Sequence, residues 1–215
     1  MPQGLLLVLS QPSTTPLAEF HDWYDHEHAP ARTAFEGVEH GTRFRAADGL
    51  RPEWLATYDV DLGVLERPDY RALREHRSPR EQRVIAGLET FERRTYELVE
   101  ETPAPSSAAT GPAPGEVVVC VSLEVPAHLE AEYAAWYAEE HVPLLHRIEG
   151  WNRTRRFRLL DGDAPRLLAV HDLDSTAPFE DPAYAAATST PRREALMAQV
   201  TRRERRVFSV HRRFD

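Results

Sequence analysis

Ten histidines and no lysine bound the chemistry open to this 215-residue chain. Schiff-base catalysis, a pyridoxal-phosphate anchor and the P-loop each need a lysine, so all three are excluded. Proton transfer by histidine remains. His28 and His141 come first. Each follows Tyr24 or Tyr137 by one helical turn, on an aromatic stripe and at the expected end of a helix, where the helix dipole favours an imidazolium. Glu27 and Glu140 sit at the edge of the same stripe. A carboxylate there needs a partner, expected to be an arginine of the next strand, or else it carries a raised pKa suited to proton transfer. Alternation along residues 38–45 puts Val38, His40, Thr42 and Phe44 on one side of a strand, so His40 is expected to face Tyr58 on the following one. This yields a catalytic set of His28, His40, Tyr58 and Glu27, with Trp23 and Tyr24 lining the substrate. A second set comprises His141, His171, Arg153 and Arg155, the arginines holding an anionic group. A tyrosine with two histidines makes the first set the preferred one.

Other chemistries have less support. Asp22 with His26, and His21 with Asp25, have the i,i+4 spacing of metal ligands, but all four are expected on a solvated helix face and no third ligand is spaced to join them. No metal site and no cofactor are expected. The single Cys120 cannot form an internal disulfide and sits in an apolar run, as a buried inert thiol would. No dinucleotide fingerprint, C-x-x-C or nucleophile elbow is present.

The elements that must position these residues come in duplicate. When residue n is aligned with residue n+113, 19 of the 44 positions from Ala18 to Asp61 are identical without a gap. Trp23-Tyr24 faces Trp136-Tyr137, Glu27-His28-x-Pro30 faces Glu140-His141-x-Pro143, and Arg43-Phe44-Arg45 faces Arg156-Phe157-Arg158. Each copy reads as a buried strand (Leu5 to Leu9; Val117 to Val121), then a helix closed by Pro30 or Pro143. A hairpin through Asp48-Gly49 or Asp161-Gly162 follows, then a second helical stretch and a closing strand. The order β-α-β-β-α-β is the ferredoxin-like pattern. The expected division is 1–100, a Pro/Ala/Ser linker at 101–115, and 116–215. One repeat covers a single sheet face with helices, and the other repeat can cover the second face within the same chain.

The run Glu19-Phe20-x-x-Trp23-Tyr24-x-x-Glu27-His28-x-Pro30, with Glu36-Gly37 and Arg43-Phe44-Arg45, resembles the dimeric α/β-barrel superfamily, and within it the EthD-like branch. Both halves carry the resemblance. It implies an α+β fold: two tandem ferredoxin-like repeats forming an intramolecular barrel. The superfamily includes cofactor-free monooxygenases, polyketide cyclases, muconolactone isomerases, EthD-type dehydratases and haem proteins, so fold alone does not choose a reaction.

The expected function is a cofactor-free lyase or isomerase. It would dehydrate, cyclise or rearrange a small, partly aromatic metabolite of bacterial specialised biosynthesis through histidine acid/base catalysis. A cofactor-independent monooxygenase and a non-catalytic binder of a small molecule or haem are the alternatives. A net charge of −9 argues against nucleic acid; the cluster Arg202-Arg203-Glu204-Arg205-Arg206 is expected to be a solvated helix end or strand start. No apolar run approaches a membrane span and no signal peptide is read, which fits a cytoplasmic protein, with a homodimer of the chain as a further expectation.

Overall fold

Residues 3–105 and 115–214 are described in this computed structural model. They resolve into two compact units. One comprises residues 3–98, 160–162 and 210–214; the other comprises 99–159 and 163–209. In the first, β1 (Gln3–Pro12) leads to α1 (Leu17–Trp23), a π-helical turn (Tyr24–His28) and α2 (Ala29–Thr33). Strands β2 (Val38–Ala46) and β3 (Trp54–Asp61), helices α3 (Pro68–Glu75) and α4 (Pro79–Ala86), and β4 (Leu88–Pro103) follow. The second repeats the order: β5 (Val117–Glu124), α5 (Glu130–Trp136), a π-helical turn (Tyr137–His141), α6 (Val142–Leu145), β6 (Trp151–Asp161), β7 (Leu167–Leu173), α7 (Pro182–Ala187), α8 (Pro191–Met197) and β8 (Arg202–Phe214). Of the expected linker, 106–114 lie outside the described residues, and Glu101–Pro103 still belong to β4. The basic cluster at Arg202 is the start of β8.

Pairing is antiparallel throughout each sheet: β1 lies between β3 and β4 with β2 beyond β3, and β5 lies between β7 and β8 with β6 beyond β7. The hydrogen-bonded order closes as β1-β3-β2-β8-β5-β7-β6-β4. This is the α+β barrel of tandem ferredoxin-like repeats that the element order implies. No helix among the described residues is long and apolar enough to cross a membrane.

The aromatic stripes hold helices to sheets. Phe20, Trp23 and Tyr24 pack with Leu6, Val8, Trp54, Ala56 and Tyr58; Tyr133, Trp136 and Tyr137 pack with Leu123 and Ala169. Truncating one such aromatic to alanine typically costs about 3–5 kcal/mol.

Two local features depart from the sequence expectation. Pro30 and Pro143 do not end the helices but sit in the first turn of α2 and α6. The π turn makes this possible. The Ala29 N–H bonds to the Tyr24 carbonyl and the Val142 N–H to that of Tyr137, five residues back. The widened turn moves the carbonyl that the proline ring would strike and skips the bond its absent N–H would have made. His28 and His141 therefore lie in mid-helix, with no free carbonyl end to favour an imidazolium.

The second departure is in the strands. A bulge in β2 between Glu39 and Thr42 places both His40 and Gly41 opposite Tyr58. His40 takes a positive φ of 49° there, and a Cβ on Gly41 would meet Thr33 and the Tyr58 ring. Alternation breaks at the bulge. Val38 and Arg43 thus share the helix-facing side, Arg43 lying over the Tyr24 ring at 4.4 Å, while Thr42 is paired beside it on the other face. A bulge in β6 between Trp151 and Arg153 does the same in the second unit.

Candidate functional site

In the first unit the predicted residues do meet, but as a closed core. His28 is buried with its ring 4.4 Å from Trp23 and 4.7 Å from Tyr24. Its Nδ1 is 3.2 Å from Glu81 Oε1, and Arg32 lies 3.4 Å from the same carboxylate while donating to the His28 carbonyl at 2.8 Å. Burial first, and then the Arg32 charge, holds the His28 pKa down to about 3 despite Glu81. Burial works to raise the Glu81 pKa, but its bond to His28 and the surrounding cations outweigh it and the net shift is downward. Tyr58 is buried against Tyr24, and burial raises both phenols. The two hydroxyls influence each other's titration, yet neither has a hydrogen bond of ordinary geometry. His40 stays apart, half-buried on the bulge with Glu39 4.0 Å away. The bulge thus removes it from the expected catalytic set.

Glu27 meets neither a strand arginine nor the histidine. It accepts from Ser78 Oγ, and Arg80 stands 3.9 Å from its other oxygen. Ser78 is the N-cap of α4, accepting from the Glu81 N–H. Glu140 repeats this in the second unit: it accepts from the N-cap Thr190 at 2.5 Å and from Trp136 Nε1 at 3.2 Å. Repetition in both units marks these glutamates as clasps between the two helical layers. The strand arginine aligned with the expectation, Arg43, pairs instead with Asp25 at 2.5 Å, which Arg212 also reaches at 3.1 Å. Asp25 is therefore buried, against the expectation of a solvated face, whereas Asp22 and His26 are exposed as expected. Among the described residues no group of three or more His, Cys, Asp or Glu side chains is arranged to hold a metal ion.

The second unit holds an open pocket between helices and sheet, with about 450 Å³ of empty space including its mouth. Trp136, Tyr137 and Trp151 line it, and His141 and His171 face it. The His141 ring stacks on Trp136 at 4.5 Å. Its Nδ1 is buried and without a hydrogen-bond partner, while the Ala187 carbonyl favours a proton on the ring. Burial, then the Arg193 charge, lowers its pKa to about 4. His171 is buried deeper, and its pKa is held well below the ordinary imidazole value by burial and then by the neighbouring His141, His146 and Arg205. Its Nδ1 is 2.9 Å from Thr154 Oγ1, which is 3.0 Å from His146 Nε2. Burial alone lowers His146 to about 4.

Arg153 and Arg155 do not join this pocket. They lie on the other face of the sheet, where Asp172 Oδ2 is 2.7 Å from Arg153 and 3.7 Å from Arg155. The β6 bulge is the reason: it inverts the alternation that placed them beside His171. The pocket's cations are instead Arg193, Arg203 and Arg205. Sequence reasoning missed all three, as it missed His146 and Thr154. A signal existed. Beyond the hairpin of each repeat the offset changes, to 114 at Pro68-x-Tyr70 and Pro182-x-Tyr184 and then to 112, so that Ser78-Pro79-Arg80-Glu81 aligns with Thr190-Pro191-Arg192-Arg193. The carboxylate that clasps His28 is thereby replaced by a guanidinium near His141.

No family model and no curated protein matches the chain. Solved structures do. An anthrone oxidase-like protein is similar over 99% of this chain and 92% of its own, at 14% identity and a TM-score of 0.68. A ferredoxin fold protein related to antibiotic biosynthesis monooxygenases from Listeria monocytogenes is similar over 99% and 96%, at 10% identity and a TM-score of 0.53. A mutant chlorite dismutase from Candidatus Nitrospira defluvii is similar over 98% and 92%, at 7% identity and a TM-score of 0.63. At these identities the likeness defines the fold: the chain has the dimeric α/β-barrel architecture, carried as two tandem repeats.

Proposed function

We propose that this protein is an enzyme that removes and returns protons on a small, partly aromatic metabolite, using the pocket of the second unit. One observation carries the reading. His141 presents a buried, unpartnered Nδ1 in a pocket whose walls are aromatic, and its pKa of about 4 keeps the imidazole neutral at neutral pH. An unprotonated imidazole with a bare lone pair can accept a proton, and its low pKa makes it a weak base, suited to an acidic C–H or O–H such as one flanked by a carbonyl and aromatic rings. The opposite wall supplies His171, joined through Thr154 to His146, a chain able to deliver or carry away a proton. His141 takes a proton from carbon or oxygen of the substrate and, as the imidazolium so formed, returns it at another carbon or to a leaving hydroxyl. That sequence completes an isomerisation, a cyclisation or a dehydration without a cofactor.

The working half is therefore the second, not the first. In the first unit the corresponding histidine is clasped by Glu81, and Tyr58 and Gly41 stand where the second has His171 and Thr154.

A second reading shares the first step. The carbanion formed by the base reacts with oxygen, as in a cofactor-independent monooxygenase; the likeness to an anthrone oxidase-like protein favours considering it. Anthrone, whose ring methylene is acidic, serves as the probe. Under anaerobic conditions in D₂O, the protein is expected to speed deuterium entry at that methylene, and His141→Gln is expected to abolish the acceleration. Exchange at the uncatalysed rate would reject the base. Oxygen uptake on admitting air would select the oxygenase reading over the lyase or isomerase. A non-catalytic binder would return every ligand unchanged, and a haem carrier would show a Soret band.

A further inference from the structure

The pocket is lined by three arginines and by no carboxylate, the nearest influence of that sign on Arg193 being Glu194 outside the lining. Arg193 donates to the Thr188 carbonyl at 2.7 Å, and Arg205 to the Tyr184 hydroxyl at 3.1 Å. Both acceptors are neutral, so they hold the guanidiniums in place without compensating them. Arg203 stands at the mouth, exposed, one strand position pair from Arg205. No carboxylate is among the residues lining the pocket, and among the described residues none of the three arginines has a carboxylate within salt-bridge distance. The rest of the unit is built otherwise. Arg156 is paired with Glu100, Arg166 with Glu130 and Glu124, and Arg153 with Asp172. Like charges converging on a half-buried pocket repel, and Arg193 feels Arg203 in this way. Such an arrangement is unfavourable unless an anion completes it.

The repeat shows that the charge is local to this half. The aligned positions of the first unit are Glu81, Phe91 and Arg93. One cation flanked by a carboxylate and a phenyl ring has become three cations. In the first helical layer Arg32, which pairs with Glu81, has become Leu145, which lines the pocket. The fold alone needs none of these exchanges, because the first unit folds without them.

We infer that Arg193, Arg203 and Arg205 form the anion subsite of this pocket, and that its ligand is a planar aromatic carboxylate. The inference rests on the second-unit site proposed above. The guanidinium fork matches a carboxylate in two-point contact, which an ammonium does not. Trp151 and Tyr184, with rings 25° from parallel and 5.9 Å apart, and Trp136 supply the flat apolar surface for the ring system. The carboxylate meets the arginines toward the mouth, and the aromatic body reaches inward to His141 Nδ1.

The test is a fluorescence titration of the whole protein with 2-naphthoate and, in parallel, with its neutral isostere 2-naphthamide, following tryptophan quenching. The acid is expected to bind at least ten-fold more tightly than the amide. Arg203→Gln and Arg205→Gln are each expected to weaken the acid about ten-fold or more, the size of a lost hydrogen bond to a charged group, and to leave the amide unchanged. Arg93→Gln in the first unit is expected to change neither. Equal binding of acid and amide, or a loss as large from Arg93→Gln as from the pocket arginines, would overturn the subsite. If Arg205→Gln fails to fold, the exposed Arg203→Gln decides the matter alone. His141→Gln separates the two claims. If the acid still depends on the arginines while His141→Gln leaves anthrone exchange intact, the subsite stands and the proton-transfer reading falls. If exchange is lost while acid and amide bind alike, the reverse holds.

Discussion

His28 and His141 hold equivalent places in the two repeats, but their surroundings differ, because Glu81 in the first unit is Arg193 in the second. Glu81 ties the first imidazole into an ion-pair network; the second lines a pocket and keeps a buried, unpartnered Nδ1. General acid/base catalysis contributes about 10²–10⁴-fold, so His141→Gln should slow deuterium exchange on anthrone by at least about 100-fold. Thr154 joins His171 to His146 through one hydroxyl. Thr154→Val, which keeps the shape and deletes that hydroxyl, should slow exchange, and Thr154→Ser should restore it; equal rates in all three proteins would remove the relay from the mechanism. Buried histidines also set the acid limit of stability. His28 is held at about 3, and His141 and His146 at about 4, all by burial. The unfolded value is about 6.5, so the unfolded chain binds more protons below it. Stability is therefore full above about pH 6.5 and is lost as the pH falls toward 4. Each such histidine contributes a slope of about 1.4 kcal/mol per pH unit in that window. Melting temperatures measured from pH 8 to 4.5 should fall across the lower half of the range, and a flat profile would contradict the burial argument.

At the scale of elements, the bulge in β2 and the π turns decide which side chains can meet. His40 occupies a left-handed backbone position, where glycine is at ease and a β-branched residue is strained. His40→Gly should leave stability within about 0.5 kcal/mol, since relief of strain offsets the added chain entropy, whereas His40→Val should cost about 1–2 kcal/mol. Exchange activity should survive His40→Gly, and its loss would return His40 to the catalytic set. The glutamate clasps belong to the same scale. Glu27→Ala removes the acceptor of the α4 N-cap hydroxyl and should cost about 1 kcal/mol in urea unfolding, the usual net value of one hydrogen bond. Pro30 shows why a proline is an unreliable mark of a helix end here. Proline disfavours an ordinary α-helical interior, but a π turn placed just before it is a tertiary accommodation with no signature in the apolar periodicity.

For the whole molecule, duplication acts as an internal comparison. What recurs in the same surroundings, such as Glu27 with Glu140, the fold accounts for; what differs around a recurring residue, such as Glu81 beside His28 and Arg193 beside His141, is free to serve function. His28→Gln should lower stability by roughly 1–3 kcal/mol, the cost of leaving a buried partner unsatisfied, and should leave exchange unchanged. His141→Gln should do the opposite. Equal losses of exchange from both variants would assign work to both halves.

How much of this could be read without coordinates follows from the physics of each signal. Repetition, element order and fold class are written along the chain, because the 3.6- and 2-residue periods and the turn residues are local. The identity of His141 and His171 as pocket residues was legible for the same reason: each lies on a face that its own element defines. The failures came wherever one extra residue changed a face. Arg153 and Arg155 were expected beside His171, and a single bulge residue in β6 put them on the other side. His40 does lie opposite Tyr58, but it shares that place with Gly41 in the bulge, and the alternation that would aim its side chain at the tyrosine is lost. Arg193, Arg203 and Arg205 come from a helix and a strand far along the chain from His141. Only the folding of α8 and β8 against the first helix of the repeat makes them neighbours. The sequence by itself determined the two repeats and the aromatic stripes that dock each helix. The tertiary structure decided which side chains line the pocket of the second unit and which charges face it, because burial and charge pairing are properties of neighbours brought together in space.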